Sequence, residues 1–345
     1  MAPMRNRYRL LHLKIFLAAV RRGKISLRKL FNALMCQVAY WRQSERSAAG
    51  PLMVSMELGN HCNINCLFCR DEKGVIPNVN PAGRQKVIPK GWMPPETAKA
   101  IIDQLREYLL IAVLYTNGEP LLYKKLAEVV RFATERRVAT MIATNGTLLN
   151  ADNIQALLEA GLDFVKIALS GFTQDVYSVQ VRRGDVEKVK KGIALFCEMK
   201  RRGGYHTVIM VDYILYDYNR HQLEDMRVFC DGLGVMLNTR PGNPKGGLED
   251  KERPLTDETP PLDISCDWLW KAMQVDWTGE VLPCCECAVW SEAGAYATFD
   301  PKGPHLLKVW NGPRARAMRR TIHRRGRKAV PVCAACLRKG ISFKW

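Results

Sequence analysis

His61-Cys62-Asn63-Ile64-Asn65-Cys66-Leu67-Phe68-Cys69 is the stretch on which the reading of this chain turns. It places three cysteines at C-x3-C-x2-C spacing directly after an apolar run, Met53–Leu58, that reads as a strand. Three thiolates on one loop can hold three irons of a [4Fe–4S] cube and leave the fourth iron without a protein sulfur. A structural zinc site needs four ligands. No fourth cysteine is near, and His61 adjoins Cys62, where it would need a strained bite. The loop therefore reads as a metal site of open coordination.

Outward from the loop, strands and helices alternate as far as residue 240. After Met53–Leu58, the apolar periodicity predicts a helix over Pro95–Tyr108, a strand over Ile111–Thr116 and a helix over Lys124–Arg137. A strand over Ala139–Thr144 follows, then a helix capped by Asn150 that ends at Gly161, and a strand over Phe164–Ser170. Asp185–Arg202 and Asn219–Asp231 read as helices, Tyr205–Leu215 and Val235–Arg240 as strands. Six strands separated by helical crossovers imply an α/β chain with parallel pairing. Right-handed crossovers allow an open doubly wound sheet or an incomplete barrel, and periodicity does not choose between them. In both, chemistry belongs at the C-terminal ends of the strands.

With those residues in view, the chain resembles the radical S-adenosylmethionine (radical SAM) superfamily. The likeness rests on the cysteine loop with Phe68 before its third cysteine, and on Tyr115-Thr116-Asn117-Gly118-Glu119-Pro120 after the second strand. It also rests on Ala143-Thr144-Asn145-Gly146-Thr147, Ala168-Leu169-Ser170-Gly171 and the stretch from Tyr177 to Gly192 with Arg182-Arg183-Gly184. It covers about residues 53–240 and implies an incomplete (β/α)6, TIM-like barrel with S-adenosylmethionine on the unique iron. Phe68, Asn117, Gly118, Glu119 and Pro120 are the cofactor-binding residues it implies, and Ser170 and Arg183 are candidates for the ribose and carboxylate region. An arginine offers a carboxylate a planar pair of donors; Arg182 competes with Arg183 for that place. The reduced cube would split the sulfonium and give a 5′-deoxyadenosyl radical, which abstracts a substrate hydrogen. Such chemistry needs a closed, dry site, and the Pro- and Gly-rich 73–95 stretch is either a lid for it or a surface insertion.

A second group of cysteines lies at the C-terminal end. Cys266, Gly279 and Cys284 make C-x12-G-x4-C, and Cys333-Ala334-Ala335-Cys336 follows. A Trp277-Thr278-Gly279-Glu280 turn between two short strands would bring Cys266 and Cys284 together. On spacing alone, four thiolates suit a [4Fe–4S] cluster and a zinc site equally. This unit resembles the SPASM auxiliary-cluster domain in its shortened twitch form, which implies one auxiliary [4Fe–4S] cluster on Cys266, Cys284, Cys333 and Cys336. Cys285 and Cys287 are surplus, and Cys36, Cys197 and Cys230 fall in helical patterns as small apolar residues. Asp212, Tyr213, Tyr216, Arg240 and Glu286 are candidates for the barrel mouth. The organisation read from the sequence is therefore a basic helical segment over 1–50, the radical SAM core over 51–240, a linker over 241–265 and the small Cys-rich domain over 266–345. The linker holds five Pro, three Gly and six acids.

Composition bounds the rest. A chain of 345 residues that is 47% hydrophobic and 25% charged is not disordered, collagenous or a disulfide miniprotein. No run approaches the ~20 apolar residues of a membrane span, and Lys14 interrupts the N-terminal apolar stretch, against a secretory signal. The net charge of +18 is confined to two segments. Residues 1–50 hold eleven Lys/Arg against the single acid Glu45, and 314–328 hold eight basic residues and no acid, which leaves the body balanced. Residues 8–20 and 26–41 read as two helices that either cap the body or lie on anionic lipid. Few aromatics interleave with the C-terminal basic run, so no specific nucleic acid is expected.

The function expected is a radical SAM enzyme that oxidises or otherwise modifies a lipid-linked, sugar-like or other small substrate, fed by a one-electron reductant such as flavodoxin or ferredoxin. It would be cytoplasmic, peripheral at the membrane through the basic N-terminal helices. The alternatives are a peptide- or protein-modifying maturase whose recognition domain is a separate chain, and a zinc protein that binds nucleic acid.

Overall fold

Apolar runs with one polar position at a time build the centre of the molecule. The computed structural model describes residues 17, 19–67, 69, 89–241, 266–285, 294–334 and 336. Its six parallel strands are β1 (Met53–Met56), β3 (Ile111–Val113), β4 (Ala139–Thr144), β5 (Phe164–Ala168), β7 (Val208–Leu215) and β8 (Met236–Pro241). They pair in the order β1-β3-β4-β5-β7-β8. The crossovers carry α2 (Pro95–Leu105), α3 (Leu126–Glu135), α4 (Ala151–Ala160), α6 (Val186–Arg202) and α7 (Leu223–Gly232). Each helix turns one apolar stripe to the sheet, as with Ala98, Ile101, Ile102 and Leu105 on α2. On the strands, Val54, Met56, Ala112, Ile142, Val165, Ile167 and Val211 join these stripes in the main core. The alternate residues face the other way, into the concave interior.

Among the described residues no ladder joins β8 to β1, so the barrel stays incomplete. The free side of β1 is taken by the C-terminal unit. There β9 (Ala272–Val275) runs parallel to β1, and β10 (Glu280–Leu282) and β11 (Ala297–Thr298) continue antiparallel. Gly279, at φ +90° in the turn between β9 and β10, needs the freedom of glycine. α8 (Trp268–Lys271), α9 (Leu306–Trp310), α10 (Pro313–Arg325) and α11 (Pro331–Ala334) complete the unit. The sequence shows little regular apolar pattern here, yet Trp270 and Trp310 are fully buried and packing supplies what periodicity lacks.

Element ends differ from expectation where tertiary contacts decide them. β3 stops at Val113 instead of Thr116, since the chain turns off at the mouth. α7 is preceded by a tight 3₁₀ turn, Asp217–Gln222, where the sequence reads as helix. α5 (Gln174–Gln180) and a separate antiparallel pair, β2 (Asn65–Cys66) with β6 (Val181–Arg182), are additions that periodicity did not show. Asn150 and Gly161 cap α4 as expected; the Asn150 side chain accepts from the Asn153 N–H and Gly161 stands at φ +83°.

The N-terminal helix α1 (Leu27–Trp41) underlies the strand starts. Lys24 and Arg22 reach Asp163, just before β5, at 2.6 and 2.8 Å. The Lys29 ammonium donates to the Arg137 carbonyl before β4, and Asn32 donates to the Tyr108 carbonyl before β3. Burial pushes Lys29 down to about 8 and lowers Lys24 despite Asp163. Part of the N-terminal basic charge is thus a buried staple under the barrel floor. The same holds at the other end, where Arg319 of the second basic run is 1% exposed. Residues 1–16, 70–88 and 242–265 lie outside the described residues, and with them most of the first predicted helix (Leu17, Ala19 and Val20 are described and helical), most of the 73–95 stretch and the linker beyond Pro241, which ends β8. Among the described residues no helix is long and apolar enough to cross a membrane.

Candidate active site and cluster centres

The cysteine loop leaves β1 and is fixed from several sides at the C-terminal end of the sheet. Gly59 pairs with Trp92, and the His61 ring stacks on that indole at 4.4 Å. Asn60 accepts from the Gly91 N–H and donates to the Pro89 carbonyl. The turn after β3 lies directly beneath: the Glu119 N–H donates to the His61 carbonyl at 2.8 Å. A Cβ on Gly118 would stand 2.2 Å from the Gly59 carbonyl oxygen, so only glycine allows this approach. The turn after β4 closes a second side. Asn145 donates to Asn63 at 3.0 Å and reaches the Cys62 sulfur at 3.8 Å, while Asn63 donates to Thr147 at 2.8 Å. The short β2–β6 ladder closes a third, setting Cys66 opposite Val181 and Asn65 opposite Arg182.

The residues expected at the cofactor, Phe68 apart, lie among the described ones. Asn117 donates to Glu57 at 2.8 Å. Glu119 is buried, and its carboxylate accepts from the Leu121 and Asn145 N–H groups and the Thr144 hydroxyl. It holds the turn rather than presenting its carboxylate at the mouth. Pro120 begins a 3₁₀ turn. Ser170 is buried and its hydroxyl accepts from the Ile214 N–H, tying the end of β5 to β7. Arg183 is exposed at φ +64°, one residue beyond the ladder to the cysteine loop. Phe68 lies outside the described residues.

Two buried carboxyls support the turns. Burial raises both Glu57 and Glu119 to about 7, against the donors that favour their charged forms. A folded-state value above the unfolded one contributes stability below pH ~4.5 that is lost as pH rises through ~7. Comparison with Glu57→Gln, which keeps an acceptor for Asn117, isolates this contribution. The melting temperature of the native protein minus that of the variant should fall between pH 5 and 8; a difference that is flat or rises with pH would contradict the assignment.

The second group of cysteines gathers where the C-terminal unit closes. Burial, followed by the charges of Cys284 and Cys266 and that of Cys336, pushes the Cys333 thiol up to about 12, with Arg327 acting the other way. Cys284 and Cys333 pack with Leu282 and Val332, and the Cys336 N–H turns back to the Cys333 carbonyl. Four half-buried thiols, three of which oppose ionisation of the Cys333 thiol, suit a site where a multivalent metal group takes up the charge. Among the described residues no three His, Cys, Asp or Glu groups close on a point as the ligands of one ion would. Cys287 and Glu286 lie outside the described residues.

The concave interior has two levels. The floor is apolar: Phe164 and Met210 pack with Met141, Val208 and Met236. Above it, Asp212 on β7 accepts from Asn238 at 2.6 Å and from Arg240 at 3.1 Å, with Lys166 at 3.7 Å. Burial would raise Asp212, but Lys166 and Arg240 outweigh it and hold the carboxyl below its usual value. Lys166 also lies over the Tyr115 ring at 5.5 Å. Two cations on one carboxylate leave this trio with one positive charge in excess. Of the mouth candidates, Asp212 and Arg240 meet here. Tyr213 instead donates to the Asn219 carbonyl in the outer core, and Tyr216 stacks on Tyr218. Lys166 and Asn238 escaped the sequence reading, although a lysine inside the run Phe164–Ala168 is a signal, since a strand of a covered parallel sheet is normally apolar on both faces.

The radical SAM superfamily model matches residues 56–230, just over half of the chain, and the SPASM iron–sulfur cluster-binding domain matches residues 266–337. The chain belongs to the radical SAM superfamily. With it come a [4Fe–4S] cluster, S-adenosylmethionine and, at the C-terminal SPASM domain, auxiliary iron–sulfur ligation. Curated relatives include a probable GTP 3′,8-cyclase of Methanocaldococcus jannaschii, 26% identical over 53% of this chain and 56% of its own. Another is an AdoMet-dependent heme synthase of Oleidesulfovibrio alaskensis, 24% identical over 53% of this chain and 43% of its own. The match thus spans a third to just over half of such relatives' length. Among solved structures, Streptococcus suis SuiB bound to S-adenosylmethionine superposes with TM-score 0.61 at 14% identity, over 82% of this chain and 70% of that one. BtrN in complex with AdoMet and 2-DOIA gives 0.52 at 19% identity, over 82% and 92%. At such identities these structures bear on the fold, and they support the partial barrel.

Proposed function

We propose that this radical SAM enzyme oxidises or otherwise modifies a small polar substrate carrying an oxyanion, such as a sugar acid or sugar phosphate. In this reading Cys62, Cys66 and Cys69 hold the SAM-binding cluster, and Cys266, Cys284, Cys333 and Cys336 hold one auxiliary [4Fe–4S] cluster. Cluster and S-adenosylmethionine supply, when bound, one-electron cleavage to a hydrogen-abstracting 5′-deoxyadenosyl radical. The chain's own residues do the rest. The Asn117–Pro120 turn offers its backbone to the methionine amine, and Glu119 keeps it in place from below. Arg183, with Phe68, borders the cofactor, and Ser170 positions the strand ends around it. Cys285 and Cys287 are surplus to both ligand sets. A flavodoxin- or ferredoxin-type donor supplies the electron.

The observation that carries the substrate class is the Lys166–Asp212–Arg240 cluster above an apolar floor, at the end of the barrel where the cysteine loop sits. A carboxylate or phosphate would exploit its uncompensated charge. This favours a small polar substrate over a lipid-linked one. SuiB, whose structure is also known bound to precursor peptide SuiA, lends the peptide-modifier alternative only a shared fold, and membership of an iron–sulfur family replaces the zinc reading.

The test follows deuterium. The reconstituted enzyme, SAM and a reductant are incubated with deuterated sugar acids, sugar phosphates and their neutral parents. Transfer into 5′-deoxyadenosine is expected from anionic compounds and lost in Lys166→Met, which should keep its iron and unproductive SAM cleavage. Equal transfer from the neutral parents would overturn the substrate assignment.

A further inference from the structure

Of the ten large apolar side chains exposed among the described residues, seven lie between residues 17 and 41. Five of them, Leu27, Leu30, Phe31, Leu34 and Trp41, share one stripe of α1 at helical spacing. They are not marginal: Leu27 is 86% exposed, Trp41 69% and Phe31 62%. The opposite stripe, with Lys29, Asn32, Cys36 and Ala39, is buried against the barrel floor. A surface helix normally turns its apolar face to the core and its polar face to water; here the buried face carries Lys29 and Asn32 and the open face is the apolar one.

The charges around the open stripe are mostly of one sign. Arg21, Arg28, Arg42 and Arg46 are exposed, and Glu107 is engaged by Arg28 at 3.5 Å. Glu45 is bound by Arg320 at 2.9 Å and by Arg324 at 4.0 Å. Those contacts, with Ala39 and Tyr40 packed on Met318 and Ile322, bring α10 beside the end of α1. The chain's two basic segments, joined through Glu45 and Arg320 at a separation of 275 residues in sequence, therefore meet at one surface. Its apolar centre and arginine border are those of an element that lies in a lipid interface, with side chains that extend their charge to headgroups. A second copy of the chain seated on the same stripe would set arginine border against arginine border, which disfavours a symmetric dimer.

We propose that the α1 stripe with its arginine border is a docking face for an anionic lipid surface. α1 sits beneath the starts of β3, β4 and β5, whereas the cysteine loop is at their ends. A bilayer on this face leaves the barrel mouth turned to water, open to a soluble substrate and a soluble electron donor.

The test uses the full, reconstituted chain and sedimentation with phosphatidylcholine vesicles, with and without phosphatidylglycerol. The protein should bind phosphatidylglycerol vesicles at least about tenfold more tightly than neutral ones, and lose this in high salt. The triple variant Leu27→Gln/Phe31→Gln/Leu34→Gln should weaken binding by about tenfold or more, as each side chain gives up apolar burial. Arg28→Gln/Arg42→Gln, which touches no core residue, should flatten the dependence on lipid charge. Iron content and SAM cleavage should stay at the native level in both. Absence of vesicle binding, equal binding to neutral vesicles, or unchanged binding by the triple variant would each overturn the proposal. So would a concentration-dependent dimer in vesicle-free solution that the triple variant abolishes, since a second copy would then own the face.

Discussion

Replacing Cys62, Cys66 and Cys69 together by alanine is expected to abolish release of 5′-deoxyadenosine and to lower the iron content from about eight to about four per chain. The remaining iron should keep its visible absorption, because Cys266, Cys284, Cys333 and Cys336 belong to a different part of the fold. The reason for the separation is structural. The first loop is fixed by Gly118–Glu119, Asn145 and the β2–β6 ladder, while the second group gathers around Cys333 at the far side of the added strands. The complementary change, Cys333→Ala with Cys336→Ala, should remove the other half of the iron and spare the first. If either variant lost all of its iron with an unaltered melting profile, the assignment of two independent ligand sets would be wrong.

Arg319→Met is expected to cause the largest loss of stability of any single change outside the cysteines. The guanidinium is buried, lies over the Trp310 ring at 4.4 Å, and donates to the carbonyls of Leu269, Trp310 and Glu45. It thereby joins α8, α9 and the segment after α1. Burial lowers Arg319 to about 10, still well above neutrality, so it stays charged and committed to those carbonyls. Methionine fills much of the volume but leaves the carbonyls without donors. Losing one partner of a buried charged network costs about 3–5 kcal/mol. Lysine would not restore it, because one ammonium cannot span three carbonyls in a fixed fork. Thermal melts of the reconstituted protein should show a clear drop for both variants; a native melting temperature in Arg319→Met would refute this role.

What the sequence makes visible is what is local. The C-x3-C-x2-C spacing, the Asn150 and Gly161 caps, and the strand and helix alternation are written within a few residues, and the structure has them where the pattern puts them. What it hides depends on distant partners. The β2–β6 ladder is two residues long on each side and has no periodicity to detect. Lys166, Asp212, Asn238 and Arg240 come from three strands and meet only once the sheet curves. Charge counts misled in one respect. The basic segments look like free surface, but Lys24, Lys29 and Arg319 are buried and hold carbonyls or Asp163, and nothing in a charge count distinguishes a stapled cation from a solvated one. Ser170 and Glu119 were expected at the cofactor from their places in the sequence. The Ser170 hydroxyl accepts from the Ile214 N–H and the Glu119 carboxylate accepts from the Thr144 hydroxyl, partners that lie 44 and 25 residues away in sequence.

In the function proposed, one iron of the cluster on Cys62, Cys66 and Cys69 lacks a protein ligand and accepts S-adenosylmethionine. Electron paramagnetic resonance of the reduced Cys333→Ala/Cys336→Ala protein, in which that cluster stands alone, tests this most directly. Adding S-adenosylmethionine should shift the g-values of the reduced cluster. A cluster signal identical with and without it would contradict the account.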